Sequence, residues 1–144
     1  MKLTVLNGPN LNLLGIREPD IYGKTDYKTL CEELIAYGKE KGVEIETYQS
    51  NHEGDLVDKI QSLYGESDGV VINPAAFTHT SVAMLDALKA VGIPAVEVHI
   101  SDPDTREEFR KINYVRLACF KTIKGHGVKG YFEAVDALID HLTT

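Results

Sequence analysis

Gly69-Val70-Val71-Ile72, followed at once by Asn73-Pro74, is the stretch on which the fold turns. Its continuous apolar run suits a strand covered on both faces, as in a parallel sheet. Val43-Glu44-Ile45-Glu46 alternates instead and suits an edge strand. Outward from these two, short apolar runs alternate with segments of helical period along the whole chain. Strands are expected at 2–7, 43–49, 69–72, 94–100 and 115–123, and helices at 26–41, 53–64, 79–91 and 128–142.

Leu30, Leu34 and Tyr37 recur at helical spacing, as do Leu56, Ile60 and Leu63, then Met84, Leu88 and Val91, then Val135, Ile139 and Leu142. Gly42, Gly65 and Gly92 stand just past helices, where a left-handed cap costs glycine little. Ser50-x-x-Glu53 reads as a capping box, and Thr78, Thr80 and Ser81 crowd the start of the third helix. The alternation predicts an α/β fold, a flavodoxin-like doubly wound parallel five-stranded sheet of order 2-1-3-4-5 with helices on both faces.

At 144 residues, with 43% hydrophobic and 26% charged residues, the chain suits one domain spanning 1–144. No apolar run approaches the roughly 20 residues of a membrane span. The chain opens directly on Lys2-Leu3-Thr4-Val5-Leu6, with no signal-peptide core, so a cytoplasmic location is expected. Cys31 and Cys119 form no C-x-x-C pair and read as core or helix positions. A net charge of -7 leaves no basic face for nucleic acid, so an anionic ligand would be met by a few placed arginines.

In an open parallel sheet, ligands bind beyond the carboxyl ends of the strands. Three polar clusters fall there: Asn7-Gly8-Pro9-Asn10-Leu11-Asn12, Asn73-Pro74-Ala75-Ala76-Phe77-Thr78-His79, and Glu97-Val98-His99-Ile100-Ser101. The first alone could be a turn and the second a helix lead-in, and His79 and His99 taken singly read as structural histidines. Convergence of the three clusters on one edge makes a pocket.

Glu97 and His99, two apart on a strand, share a face, so the carboxylate can fix the imidazole tautomer and make His99 a general acid. Arg17 and Tyr22 share the long connection from Gly8 to Lys24, where a guanidinium favours the phenolate. Lowering a tyrosine from about 10 to about 7.5 needs on the order of 3.4 kcal/mol, within reach of one or two placed cations. A surface arginine and an anchoring tyrosine fit the same residues.

The blocks Asn7 to Gly15, Arg17-Glu18-Pro19 with Ile21-Tyr22-Gly23, Asn73-Pro74 with Thr78-His79-Thr80-Ser81, and Glu97 to Ser101 with Arg106-Glu107-Glu108-Phe109-Arg110 closely resemble the type II 3-dehydroquinate dehydratases. The resemblance runs from Leu6 to roughly Tyr131. It implies a hydro-lyase of the shikimate pathway, working without cofactor or metal, that takes a proton from C2 and then the C1 hydroxyl through an enolate. Tyr22 maps onto the base, Arg17 onto its pKa-lowering partner, and Asn10 onto the residue that holds a water against the enolate oxygen. His99 maps onto the acid and Glu97 onto its orienting carboxylate.

Asn73, the backbone N–H of Ile100, and Ser101 map onto carboxylate-binding groups, and His79 and Arg110 onto contacts with ring hydroxyls. Asp86 maps onto a residue that reaches a neighbouring subunit's site, in a homododecamer built from trimers. Phe77 departs from the family's usual tyrosine. The segment from Lys111 to Lys121 replaces a pattern of His, Ser and small residues, which bears on the fifth strand and on subunit contacts more than on the active site.

Three other readings compete. Gly125-His126-Gly127-Val128-Lys129-Gly130 is formally a G-x-G-x-x-G, but it follows the last strand, where no later strand can offer an acid to a ribose. A non-enzymatic flavodoxin-like nucleotide- or flavin-binding module shares the topology. Metal-dependent hydrolysis through His79, His99 and His126 lacks a recognised ligand spacing.

Overall fold

Strand β1 (Lys2–Asn7) lies inside a five-stranded sheet, with β2 (Glu44–Gln49) on one side and β3 (Gly69–Asn73) on the other. Strands β4 (Ala95–His99) and β5 (Lys121–Lys124) continue it, giving the order 2-1-3-4-5 with every pair parallel. The structure, a computed structural model, describes residues 1–16, 20 and 25–144. Between strands run helices α1 (Tyr27–Glu40), α2 (Glu53–Ser62) and α3 (Val82–Val91), with α4 (Lys129–Thr143) after β5.

Side chains alternate across the sheet and feed two cores. Leu3, Val5, Val71, Val96 and Val98 pack with Leu30 and Leu34 of α1 and Tyr131, Val135 and Leu138 of α4. Leu6, Val70, Ile72 and Ala95 pack with Leu56 and Ile60 of α2 and Met84 and Leu88 of α3. Both faces of β3 are therefore dry, as its unbroken apolar run requires. Each fully buried Leu or Ile is worth about 1.5–3 kcal/mol, so these faces, more than helix propensity, hold the helices down.

The strand ends are aligned for a site. Asn7 stands in register with Asn73 at the carboxyl ends of β1 and β3. Gly8 follows, its N–H donating to the Asn73 carbonyl at 2.8 Å, and a Cβ there would lie 2.3 Å from the Pro74 carbonyl oxygen. Only glycine lets the two loops touch so closely.

Three expectations are corrected. Ser50 and Glu53 do not form a capping box: His52 is the N-cap, without a side-chain cap. The Ser50 hydroxyl instead accepts from the His52 N–H and donates to Asp55, both at 3.0 Å. Asn51, which would have opened the helix, is occupied by the loop after β1, its Oδ1 accepting from the Asn10 N–H and from Gln49 Nε2.

The third helix starts at Val82 rather than 79, because the Ser81 hydroxyl caps it by accepting from the Met84 N–H at 3.0 Å. Residues Ala75–His79 form a separate 3-10 turn. The fifth strand is Lys121–Lys124 rather than 115–123. Val115–Ala118 is a 3-10 turn opened by Asn113, whose Oδ1 accepts from the Arg116 N–H at 3.0 Å, a local bond that competes with a strand ladder. Val115 joins the core beside Met84 instead of the sheet.

Candidate active site

The loops beyond β1, β3 and β4 enclose one pocket of about 590 Å³, counting the space open to solvent. Asn10 lines it from the first loop, Asn73 and His79 from the second, His99, Ile100 and Ser101 from the third, and Arg106 and Arg110 from the turns that follow. Two non-glycine residues among those described have left-handed backbone, Asn10 at φ 72° and Ala75 at φ 53°, and both line this pocket. Such strain of order 1–3 kcal/mol survives where surrounding structure fixes it. At Ala75 the fixing bond is visible, its N–H donating to Asn73 Oδ1 at 3.1 Å.

Asn73 is held from below as well. Its Nδ2 donates to the Tyr131 hydroxyl at 2.9 Å, and that hydroxyl donates to Asn7 Oδ1 at 2.6 Å. Tyr131 is fully buried, and burial raises its phenol well above the ordinary value, so it serves as a neutral hydrogen-bonding post. Tyr131 belongs to none of the periodic sets read from the sequence, and its partners Asn7 and Asn73 are far from it along the chain.

His99 is 7% exposed and Glu97 is fully buried. His99 Nε2 lies 2.9 Å from Glu97 Oε2. A carboxylate accepts, so Nε2 carries the proton and Nδ1 is left for the pocket. Asn113 Nδ2 donates to both carboxylate oxygens, at 2.9 and 2.8 Å, and the Thr122 hydroxyl donates to Oε1 at 2.9 Å. Burial alone raises the Glu97 pKa, but the bonds from His99, Asn113 and Thr122 outweigh it and leave the carboxyl below its usual range.

Thr122 is placed by the parallel register, which pairs it with Glu97. Asn113, 16 residues from Glu97, carries no local signal. The altered segment after Arg110 thus reaches the carboxylate beneath His99 directly. The Cys119 thiol nearby is pushed up to about 12 by burial and by the charge of Glu97.

His79 Nδ1 donates to the Ile112 carbonyl at 2.6 Å, which fixes its tautomer and frees Nε2. Arg110, also on the wall, pairs with Glu107. The G-x-G-x-x-G stretch is employed otherwise than in binding phosphate: the Gly125 N–H donates to the His99 and Ser101 carbonyls, and the Gly127 N–H to that of Ile100. Because C=O and N–H of a trans peptide oppose each other, the N–H groups of Ile100 and Ser101 face away from that glycine turn.

The pocket therefore joins Asn10, Asn73, His79, His99, Ile100, Ser101 and Arg110, with Glu97 beneath His99. Asp86 stands exposed on α3, outside the lining. Arg17 and Tyr22 lie outside the described residues. Arg106, which the reading of individual side chains passed over, shares the wall. Among the described residues no group of three or more His, Cys, Asp or Glu is arranged to hold a metal ion.

A family profile described as Dehydroquinase class II matches residues 1–139. The 3-dehydroquinate dehydratase of Carboxydothermus hydrogenoformans is 54% identical over 142 residues, covering 99% of this chain and 92% of that protein. Its counterpart from Corynebacterium glutamicum strain R is 52% identical over 137 residues, covering 95% and 94%. The crystal structure of a type II dehydroquinase from Butyrivibrio crossotus matches with a TM-score of 0.95 at 52% identity, covering 96% of this chain and 97% of that one.

Proposed function

The chain belongs to the class II dehydroquinase family, and from that premise we propose that it is a 3-dehydroquinate dehydratase, a hydro-lyase turning 3-dehydroquinate into 3-dehydroshikimate in the shikimate pathway. The observation that carries the reading is the Glu97–His99 pair beneath a pocket walled by Asn10, Asn73, His79 and Arg110. A flavin- or nucleotide-binding module is not favoured, since the relatives are dehydratases over nearly the whole chain and the glycine turn spends its N–H groups on residues 99–101.

Tyr22, as phenolate beside Arg17, takes a proton from C2, and the electron pair moves onto the carbonyl as an enolate. Asn10 holds a water against that oxygen, a donor aimed where charge develops. The enolate then collapses to the C1–C2 double bond, the C1–O bond breaks, and His99 gives its Nδ1 proton to the departing hydroxyl, which leaves as water. Glu97 accepts from Nε2 at 2.9 Å throughout and keeps the ring aimed at the leaving group. Asn73, the Ile100 N–H and Ser101 hold the substrate carboxylate, and His79 and Arg110 the ring hydroxyls.

The finer reading makes residues 1–144 one catalytic domain acting without cofactor or metal in the cytoplasm. No helix of the described residues is long and apolar enough to cross a membrane. Asp86, exposed on α3, reaches the site of a neighbouring subunit in a dodecamer of trimers. Purified protein treated with a chelator is expected to turn 3-dehydroquinate into a conjugated enone, followed by its ultraviolet absorbance. A well-folded preparation that leaves the substrate untouched contradicts the assignment.

A further inference from the structure

The Glu97 carboxylate has two acceptor bonds at each oxygen: Asn113 and Thr122 at Oε1, Asn113 and His99 at Oε2. Among the described residues, Asn113 is the side chain that spans both oxygens. Its amide orientation is fixed independently, because Oδ1 accepts from the Arg116 N–H, and a backbone N–H can only donate. The amide nitrogen therefore faces Glu97 and is shared between its two oxygens. The segment carrying Asn113 is pinned on either side, by the Ile112 carbonyl accepting from His79 and by the Tyr114 N–H donating to the Thr78 carbonyl at 3.0 Å.

We propose that Asn113, seconded by Thr122, is a positioning residue for the dehydration, which clamps Glu97 as an ionised acceptor and through it holds His99 with Nε2 protonated and Nδ1 facing the pocket. The proposal rests on the reading of His99 as the acid. Removing the amide leaves a dry carboxylate without the charge-assisted bond shared by its two oxygens, so its proton affinity rises and its hold on the imidazole loosens. Asn113 does not line the pocket walled by Asn10, Asn73 and His79, but borders an adjoining cavity that shares His99 and Arg110 with it.

Two variants separate positioning from architecture. Asn113→Ala removes the donors and the acceptor for Arg116. Asn113→Asp keeps an oxygen for Arg116 and removes only the donors, setting a second carboxyl against Glu97 so that one of the two takes a proton. For both, kcat for 3-dehydroquinate is expected to fall about 10- to 100-fold, with KM within about threefold of the parent. Thr122→Val is expected to cost less, about two- to fivefold in kcat.

A second readout needs no turnover. Nitrogen-15 spectra of labelled histidine, recorded at a pH high enough to neutralise the rings, should show His99 of the parent as a single tautomer protonated at Nε2, and in Asn113→Ala a mixture of the two tautomers. Asn113→Asp with parental kcat, or Asn113→Ala with the parental His99 spectrum, overturns the proposal. Inactivity of the parent toward 3-dehydroquinate would strike the functional assignment alone, because the spectra still test the clamp.

Discussion

A carboxylate out of water keeps its charge only if donors replace the water, and at Glu97 those donors come from β4, β5 and the segment between them. Its folded pKa is depressed, so the stability it contributes is complete above the unfolded carboxyl pKa, roughly 4.3. That contribution is lost as pH falls through the folded value. Glu97→Gln should therefore lose stability at neutral pH, by about 1–3 kcal/mol, because its amide turns donors toward donors. It should also show a shallower decline than the parent in urea titrations carried from pH 7 to pH 3. Equal acid sensitivity in the two proteins would mean that Glu97 is not ionised in the fold. The Glu97–His99 pair was legible because residues two apart on a strand share a face. Asn113 and Tyr131 were not, since their partners lie in other elements and nothing in their own neighbourhoods points there.

Elements announced themselves where the pattern was periodic and both faces were buried, as along β1, β3 and β4 with α1 and α4. They were misread where a polar side chain preferred a local bond. Asn113 opened a turn in the expected fifth strand, and Ser50 closed on His52 and Asp55 instead of capping through Glu53. Ser81, one of three hydroxyl residues expected near the start of the third helix, is its cap, and the helix begins later than expected. Ser81→Ala should cost about 0.5–2 kcal/mol, read as a lower urea midpoint with an unchanged slope. An unaltered midpoint would show that the cap contributes nothing. Gly8→Ala belongs to the same scale: its Cβ would strike the backbone of the Pro74 loop. It is expected to reduce stability and turnover together by parting the two loops that carry Asn10 and Asn73.

The molecule as a whole brings three strand ends to one pocket, and that convergence was readable from the order of the strands before any distance was known. Which ring the pocket takes was readable only through family resemblance, because hydrogen-bonding groups define a polar anion and not its carbon skeleton. Assembly belongs at this scale. If Asp86 serves a neighbouring site, subunits bearing Asp86→Ala and subunits bearing His99→Ala, each impaired alone, should recover activity when unfolded together and reassembled. No recovery in mixed assemblies would place Asp86 outside its neighbour's chemistry. The division of labour between Tyr22 as base and His99 as acid is tested most directly by exchange at C2 of 3-dehydroquinate in heavy water, followed by proton NMR. With His99→Ala, deuterium should enter C2 while dehydration is largely lost, and with Tyr22→Phe neither should proceed. Enzyme-dependent exchange in Tyr22→Phe, or dehydration at the parental rate in His99→Ala, would contradict the account.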